Sequence, residues 1–266
     1  MRRSLALSPL GGMMADLTLS DLVAIGIVAI AAILSIVYWL FRHKLSTHKL
    51  RRPEVTQAVE QMNSAAAEKG QRLILALGDR YNDAPGDLGG AAGLPLLAGC
   101  TSRSAFTDQP LKVVSGDGSL MLLSQMAAQR IYNHAQAPAL FSPDEIHLAA
   151  TAGWPFMAGL LPEVGRRGNF GLLMDGHFEG ESLLALDLAD RKQMTIAASS
   201  DAITGQGAIF LETDSPIVGE DHFVPFFDPA AKGGEGAILS ALDVLRVAVC
   251  LALVVGAVLK LAGLLP

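Results

Sequence analysis

Two apolar stretches bracket the chain and constrain it more than any other feature. Leu22–Phe41 runs for twenty residues without a charge, and Val247–Leu265 carries only Lys260. A helix needs about 20 residues to cross the roughly 30 Å hydrocarbon layer of a bilayer, so both stretches are long enough to span it. Tyr38 and Trp39 close the first stretch where amphipathic rings favour the headgroup level. Lys260 sits near the far end of the second, where its stem carries the ammonium to the interface. The second stretch lacks a polar face, which argues against a helix lying on the surface.

The charges orient this arrangement. Arg42, Lys44, Lys49, Arg51 and Arg52 follow the first stretch, whereas Arg2 and Arg3 precede it at a distance and Asp16 and Asp21 lie closer. Basic residues mark the cytoplasmic flank, so a membrane protein with both termini outside and a cytoplasmic middle is expected. A cleaved signal peptide fits less well, since its apolar core is about 7 to 15 residues and ends in small residues rather than a basic run. The expected organisation is a tail at 1–21, a transmembrane helix at 22–41, a basic collar at 42–52, a soluble domain at 53–235 and a C-terminal transmembrane segment at 236–266. Met13 and Met14 offer later starts for translation.

From Pro53 to Glu235 there are 11 Lys and Arg against 23 Asp and Glu, a net charge of −12. That acidity excludes a nucleic-acid partner of the usual basic kind. The collar, in contrast, is what anionic lipid headgroups attract, so the bilayer itself is an expected partner. Ala248, Ala252 and Gly256 recur every four residues and give the second helix a small-residue face. Such a face suits a homo-oligomer or another membrane protein, or packing against the protein's own first helix. With cysteine only at positions 100 and 250, neither a disulfide framework nor a cysteine metal cluster is available.

The soluble stretch is the size of one domain. Its pattern predicts helices over Val55–Lys69, Ser119–His134, Glu181–Ala189 and Trp154–Gly165, the last interrupted by Pro162. Strands are expected over Arg72–Leu77, Leu111–Val114, Phe170–Met174 and Met194–Ala198, with a last one at Ile217–Val218 and a long Gly- and Asp-rich loop over Gly78–Gly93. Ala139–Ser142 and Ile146–Ala150 are brief apolar runs. Alternating strands and helices with uninterrupted apolar strands predict an α/β fold, a doubly wound, mostly parallel Rossmann-like sheet.

In such a sheet ligands bind beyond the strand carboxyl ends. Those ends carry S-G-D-G at Ser115–Gly118, D-G-H-F-E-G-E-S at Asp175–Ser182, S-S-D-A at Ser199–Ala202 and V-G-E-D-H at Val218–His222. Asp117, Asp175, His177, Glu181, Asp201 and Glu220 are therefore the candidate ligand-binding residues. Carboxylates converging from several loops suit a divalent cation or acid and base chemistry. The same acids equally serve as caps: Asp117, Glu181 and Asp201 each precede an expected helix, where a carboxylate satisfies open N–H groups. No cofactor is implied. G-D-G-S at Gly116–Ser119 lacks the lysine of a phosphate-binding loop, no G-x-G-x-x-G follows a strand, and Ser182 has no nucleophile elbow around it. His222, Phe223, Phe226 and Phe227 cluster before a Gly-rich run, either as core or as a docking surface at the membrane.

The segments Asn169–Ala189, Met194–Asp201 and Ser215–Asp221, and above all F-x-x-E-S-L-L at Phe178–Leu184, resemble an uncharacterised bacterial membrane family known by a domain-of-unknown-function label. The resemblance covers the chain from about Leu22 onward, with the weakest match over Gly78–Thr107. It implies an N-terminal membrane helix, an α/β middle and a C-terminal membrane helix, and it supplies no catalytic residues. The functional expectation is a non-enzymatic, membrane-anchored ligand-binding or assembly module. The alternative is a membrane-tethered enzyme with a divalent-metal or small-molecule site in the acidic loops.

Overall fold

The computed structural model describes residues 54–78, 90–151, 153–213, 216–219 and 222, with further positions inside 26–40 and 244–253. The chain divides into two compact units, one of Met1–Leu50 with Pro229–Pro266 and one of Arg51–Asp228. In the first, the described positions are helical, and apolar side chains such as Val28, Ile33, Val247 and Leu253 are exposed. Both expected membrane spans belong to this unit and lie for the most part outside the described residues. Among the described residues no helix is long and apolar enough to cross a membrane.

The second unit is an α/β fold around a five-stranded, wholly parallel sheet in the order β3-β2-β1-β4-β5. Helix α1 (Glu54–Glu68) leads through Gly70, at φ +61°, into β1 (Arg72–Gly78). There follow α2 (Leu94–Ser104), β2 (Lys112–Ser115), α3 (Gly118–His134), β3 (Ile146–Leu148), α4 (Trp154–Gly165), β4 (Asn169–Gly176), α5 (Ser182–Arg191), β5 (Thr195–Ala198) and α6 (Ile203–Glu212). Past α6, Ile217 pairs in parallel with Ser199 as a single bridge at the end of β5. Successive strands step outward from β1 to β3; the chain then returns and continues from β4 to β5. The order therefore switches between β1 and β4.

Side-chain alternation on the strands splits the core in two. Leu73, Leu75 and Leu77 of β1 join Val113, Leu173 and Ala197 under α1, α2 and α3. Ile74 and Ala76 join Val114, Leu172, Met174 and Ala198 under α4 and α5. Both sheet faces are thus covered, which is why the strands read as continuous apolar runs.

Differences from the sequence-based expectation are local. Helix α4 runs through Pro162 without interruption, because a proline near the last turn removes one N–H and leaves the earlier turns intact. Leu94–Ser104 and Ile203–Glu212 form helices that the sequence pattern did not announce. The expected strand at Ile217–Val218 is reduced to the one bridge at Ile217.

Candidate functional site at the carboxyl ends of β4 and β5

Gly176 ends β4 at φ +127°, and a Cβ there would run into the carbonyl oxygen of Gly78. Only glycine allows the ends of β1 and β4 to approach so closely at such a φ. Backbone bonds fasten the edge further: His177 N–H donates to the Gly78 carbonyl at 3.2 Å and Asp201 N–H to the Gly176 carbonyl at 3.3 Å. The chain leaving each strand is thereby fixed at the position where the strand order switches.

Three buried polar side chains meet inside this edge. Asp175, Ser199 and His222 are all buried. Ser199 Oγ donates to Asp175 Oδ1 at 2.9 Å. His222 Nδ1 lies 3.0 Å from the same carboxylate oxygen and also contacts Ser199 Oγ. A hydroxyl has one hydrogen, and it is used on Asp175, so the imidazole Nδ1–H is the donor to both. Burial pushes the Asp175 carboxyl above its ordinary value, opposed by His222, Ser199 and the Gly176 N–H. Its other oxygen, Oδ2, is buried without a partner among the described residues and lies 3.0 Å from where a Cβ on Gly93, just before α2, would sit.

A nucleophilic triad places serine and carboxylate on opposite nitrogens of the imidazole. Here both sit on Nδ1, and the serine proton is directed at the carboxylate. The geometry is that of a buried clasp, holding the segment after Ile217 over the ends of β4 and β5.

A second pair lies nearer the surface. His177 Nδ1 and Asp201 Oδ1 are 2.6 Å apart, with side chains 15% and 18% exposed, and they join the β4 and β5 turns across 24 residues of sequence. Ser200 supports this turn from below: its Oγ donates to the Phe178 carbonyl at 2.8 Å and accepts from the Phe178 N–H at 3.1 Å.

The six residues singled out from the sequence thus separate. Asp175, His177 and Asp201 come together on adjoining strand ends. Asp117 stands at the end of β2 and caps α3, its Oδ1 accepting from the Leu120 N–H at 2.9 Å. Glu181 is buried and accepts from the Glu179 N–H at 3.1 Å rather than from its own helix. Asp201 does not cap α6, whose N-cap position is Ala202 and has no side-chain cap. Glu220 and the aromatic residues Phe223, Phe226 and Phe227 lie outside the described residues. Among the described residues no group of three or more His, Cys, Asp and Glu side chains is placed to hold a metal ion.

Ser199 and His222 were not singled out as ligand-binding residues. Ser199 stood within the S-S-D-A turn, where only the acid drew notice, and His222 was read with the phenylalanines that follow it. The one available signal was a histidine in a polar G-E-D-H run after a possible strand.

A search of curated proteins and a search of solved structures returned no match. The family model described as domain of unknown function (DUF6754) matches residues 15–265, which takes in nearly the whole chain. With that coverage, the chain belongs to the DUF6754 family.

Proposed function

We propose that this protein is a membrane-anchored α/β module that binds a small ligand, without turning it over, at the carboxyl ends of β4 and β5. The observation that carries this reading is the His177–Asp201 pair, which stands partly exposed across the ends of β4 and β5, beside the switch in strand order between β1 and β4. Open parallel sheets receive ligands beyond the strand carboxyl ends near such a switch. The paired imidazole and carboxylate present a polar, partly exposed surface on a backbone fixed by Gly78 and Gly176. The anchor is the pair of apolar stretches at 22–41 and 247–265 with the basic collar between the first stretch and the domain. The domain then faces the cytoplasm of a bacterium, both termini lie outside, and the small-residue face at Ala248, Ala252 and Gly256 joins copies of the chain.

The test is thermal unfolding of the full chain in nanodiscs with a panel of mononucleotides, dinucleotides and dicarboxylates. At least one class should raise the midpoint, and Asp201→Ala and His177→Ala should abolish the rise. A panel without effect, or a rise that both variants retain, overturns the ligand site.

The alternative reading is a membrane-tethered enzyme with a divalent-metal or small-molecule site in the acidic loops at the strand carboxyl ends. Calorimetric titration with Mg²⁺ or Mn²⁺ that depends on Glu181 or Glu220 would move the preference to that reading.

A further inference from the structure

Helix α6 turns an uncharged stripe to solvent. Gly205, Ala208 and Ile209 are its buried residues, and at about 3.6 residues per turn the opposite side carries Ile203, Thr204, Gly207, Phe210 and Leu211. All five are exposed, Ile203 at 86%, Phe210 at 67% and Leu211 at 77%. Gly207 stands at the middle of the stripe, with Ile203 and Thr204 before it and Phe210 and Leu211 after it at matching distances. The outward face of a surface helix ordinarily carries charged and polar residues. From Ala202 to Leu211 there is no charge, in a domain whose net charge is −12.

Gly207 is the informative member. A glycine inside a helix disfavours the helix about two- to five-fold relative to alanine. At Gly205 the fold accounts for it, because a Cβ would strike the Phe178 carbonyl oxygen. At Gly207 the fold does not: among the described residues, nothing lies within 4 Å of where a Cβ would stand. What the missing Cβ allows at this position is a close approach from outside. The described chain beyond α6 runs beside the stripe and not over it. Gln206, on the flank, donates to the Ser200 carbonyl at 2.9 Å and accepts from the Gly219 N–H at 3.4 Å.

We infer that α6 is a self-docking surface, on which two copies of the chain pair antiparallel about a two-fold axis at Gly207. Two observations favour a second copy as the occupant. The spacing is the same on both sides of the centre, so the axis sets Ile203 against the partner's Leu211 and Thr204 against the partner's Phe210, with glycine at the crossing. The stripe is also uncharged, so two acidic domains meet there without carboxylates opposed along it. The nearest acids in sequence stand at its ends. Asp201 is paired inward with His177 at 2.6 Å, and Glu212 lies half-buried on the opposite side of the helix. On α5, which packs beside α6, Asp187 is paired with Arg191 at 3.0 Å. A five-residue stripe buries less than the roughly 800 Å² per partner of a stable interface. The contact is therefore weak and forms where copies share a membrane, which rests on the anchored reading above.

The test is disulfide cross-linking of the full chain in liposomes under a mild oxidant. A Cys250→Ser background leaves only Cys100, which is buried. Gly207→Cys should cross-link, since the axis brings this position of both copies together. Thr204→Cys and Leu211→Cys should not. The same axis separates their copies by about 9 and 12 Å along the helix, beyond the roughly 7 Å between Cα atoms that a disulfide bridges. Adding Phe210→Ser to Gly207→Cys should abolish the cross-link and leave the far-UV circular dichroism unchanged. Equal cross-linking at all three positions overturns the antiparallel pairing. Absence of cross-linking in Gly207→Cys overturns the surface itself. Maleimide access there would then mean that the stripe stays open, and protection would mean that another part of the chain or another protein covers it. Alkaline carbonate extraction tests the anchor separately. Release from the membrane with cross-linking retained defeats the anchor alone, whereas retention without cross-linking defeats the pairing alone.

Discussion

Two turns with nearly the same spelling end differently. Ser115-Gly116-Asp117-Gly118 follows β2, and Ser199-Ser200-Asp201-Ala202 follows β5. In the first, the side-chain bonds stay local: Ser115 Oγ donates to the Asp117 carbonyl at 2.8 Å, and Asp117 caps the helix it precedes. In the second, all three polar side chains reach across the chain, although Ser200 Oγ also accepts from the nearby Ala202 N–H. Ser199 and Asp201 pair with Asp175 and His177, and Ser200 holds Phe178. The difference comes from the neighbours. β5 lies beside β4, whose last residues supply partners, whereas β2 lies between β1 and the three-residue β3. A short acidic turn therefore caps a helix by default and becomes a cross-link only where the adjoining strand end offers a partner.

The largest expected effect comes from breaking the β1–β4 approach that brings those partners in. Gly176→Ala forces a Cβ into the Gly78 carbonyl at φ +127°, and we expect a loss of about 3 to 4 kcal/mol in urea unfolding. A loss below about 1 kcal/mol would mean that the two ends are apart. Next comes His222→Ala, which leaves a buried carboxyl short of its ring partner and should cost about 3 kcal/mol. It should also raise amide exchange at Ile217, the single bridge beyond β5.

The two aspartates test the comparison itself. Asp117→Ala removes a helix cap and should cost about 1 kcal/mol, with faster amide exchange confined to the first turn of α3. Asp201→Ala should cost about 1 kcal/mol through a lost hydrogen bond. Its exchange signature should appear at His177 and Phe178, at the end of β4, and not in the first turn of α6. Equal fraying of α6 in that variant would show that the second turn is a cap like the first.

A shallower effect follows pH. Asp175 has its native pKa raised by burial from an ordinary value of 3.8, so the folded chain binds this proton more tightly than the unfolded one. The stability it contributes is full below that ordinary value and is lost as pH rises through the native one. Asp175→Asn should flatten this decline in the pH dependence of the urea midpoint. The smallest effect is expected at Cys100, whose thiol is buried under α2 and pushed up to about 12. Maleimide should leave it unmodified in the native protein and label it only after unfolding.

Much of the sheet was readable because its strands are buried on both faces and so appear as plain apolar runs, such as Arg72–Leu77. Helix α6 was hidden by its own composition. Gly205 and Gly207 look like a loop, yet Gly205 is there because a side chain would strike the Phe178 carbonyl. Helix α2 likewise carries a proline, a glycine and three hydroxyl residues in L-P-L-L-A-G-C-T-S-R-S, which blurs any apolar period. The cap at Asp117 was legible because its partner is three residues away. The links from Asp175 to Ser199 and His222 were not, because they depend on which strands adjoin and no spacing encodes that. Five acids and a histidine on several loops suggested convergence, but two of the acids, Asp117 and Glu181, serve their own turns.

The sheet's outline has one more consequence. β1 and β4, at its middle, are seven and eight residues long, while β3 and β5, at its margins, have three and four. A sheet that tapers in this way leaves only a few backbone donors and acceptors along its rims, and short rims are poor templates for another strand. Growth by adding strands from a neighbouring copy is therefore disfavoured by shape alone. Self-association of this domain is therefore left chiefly to side-chain surfaces, where single substitutions can tune it.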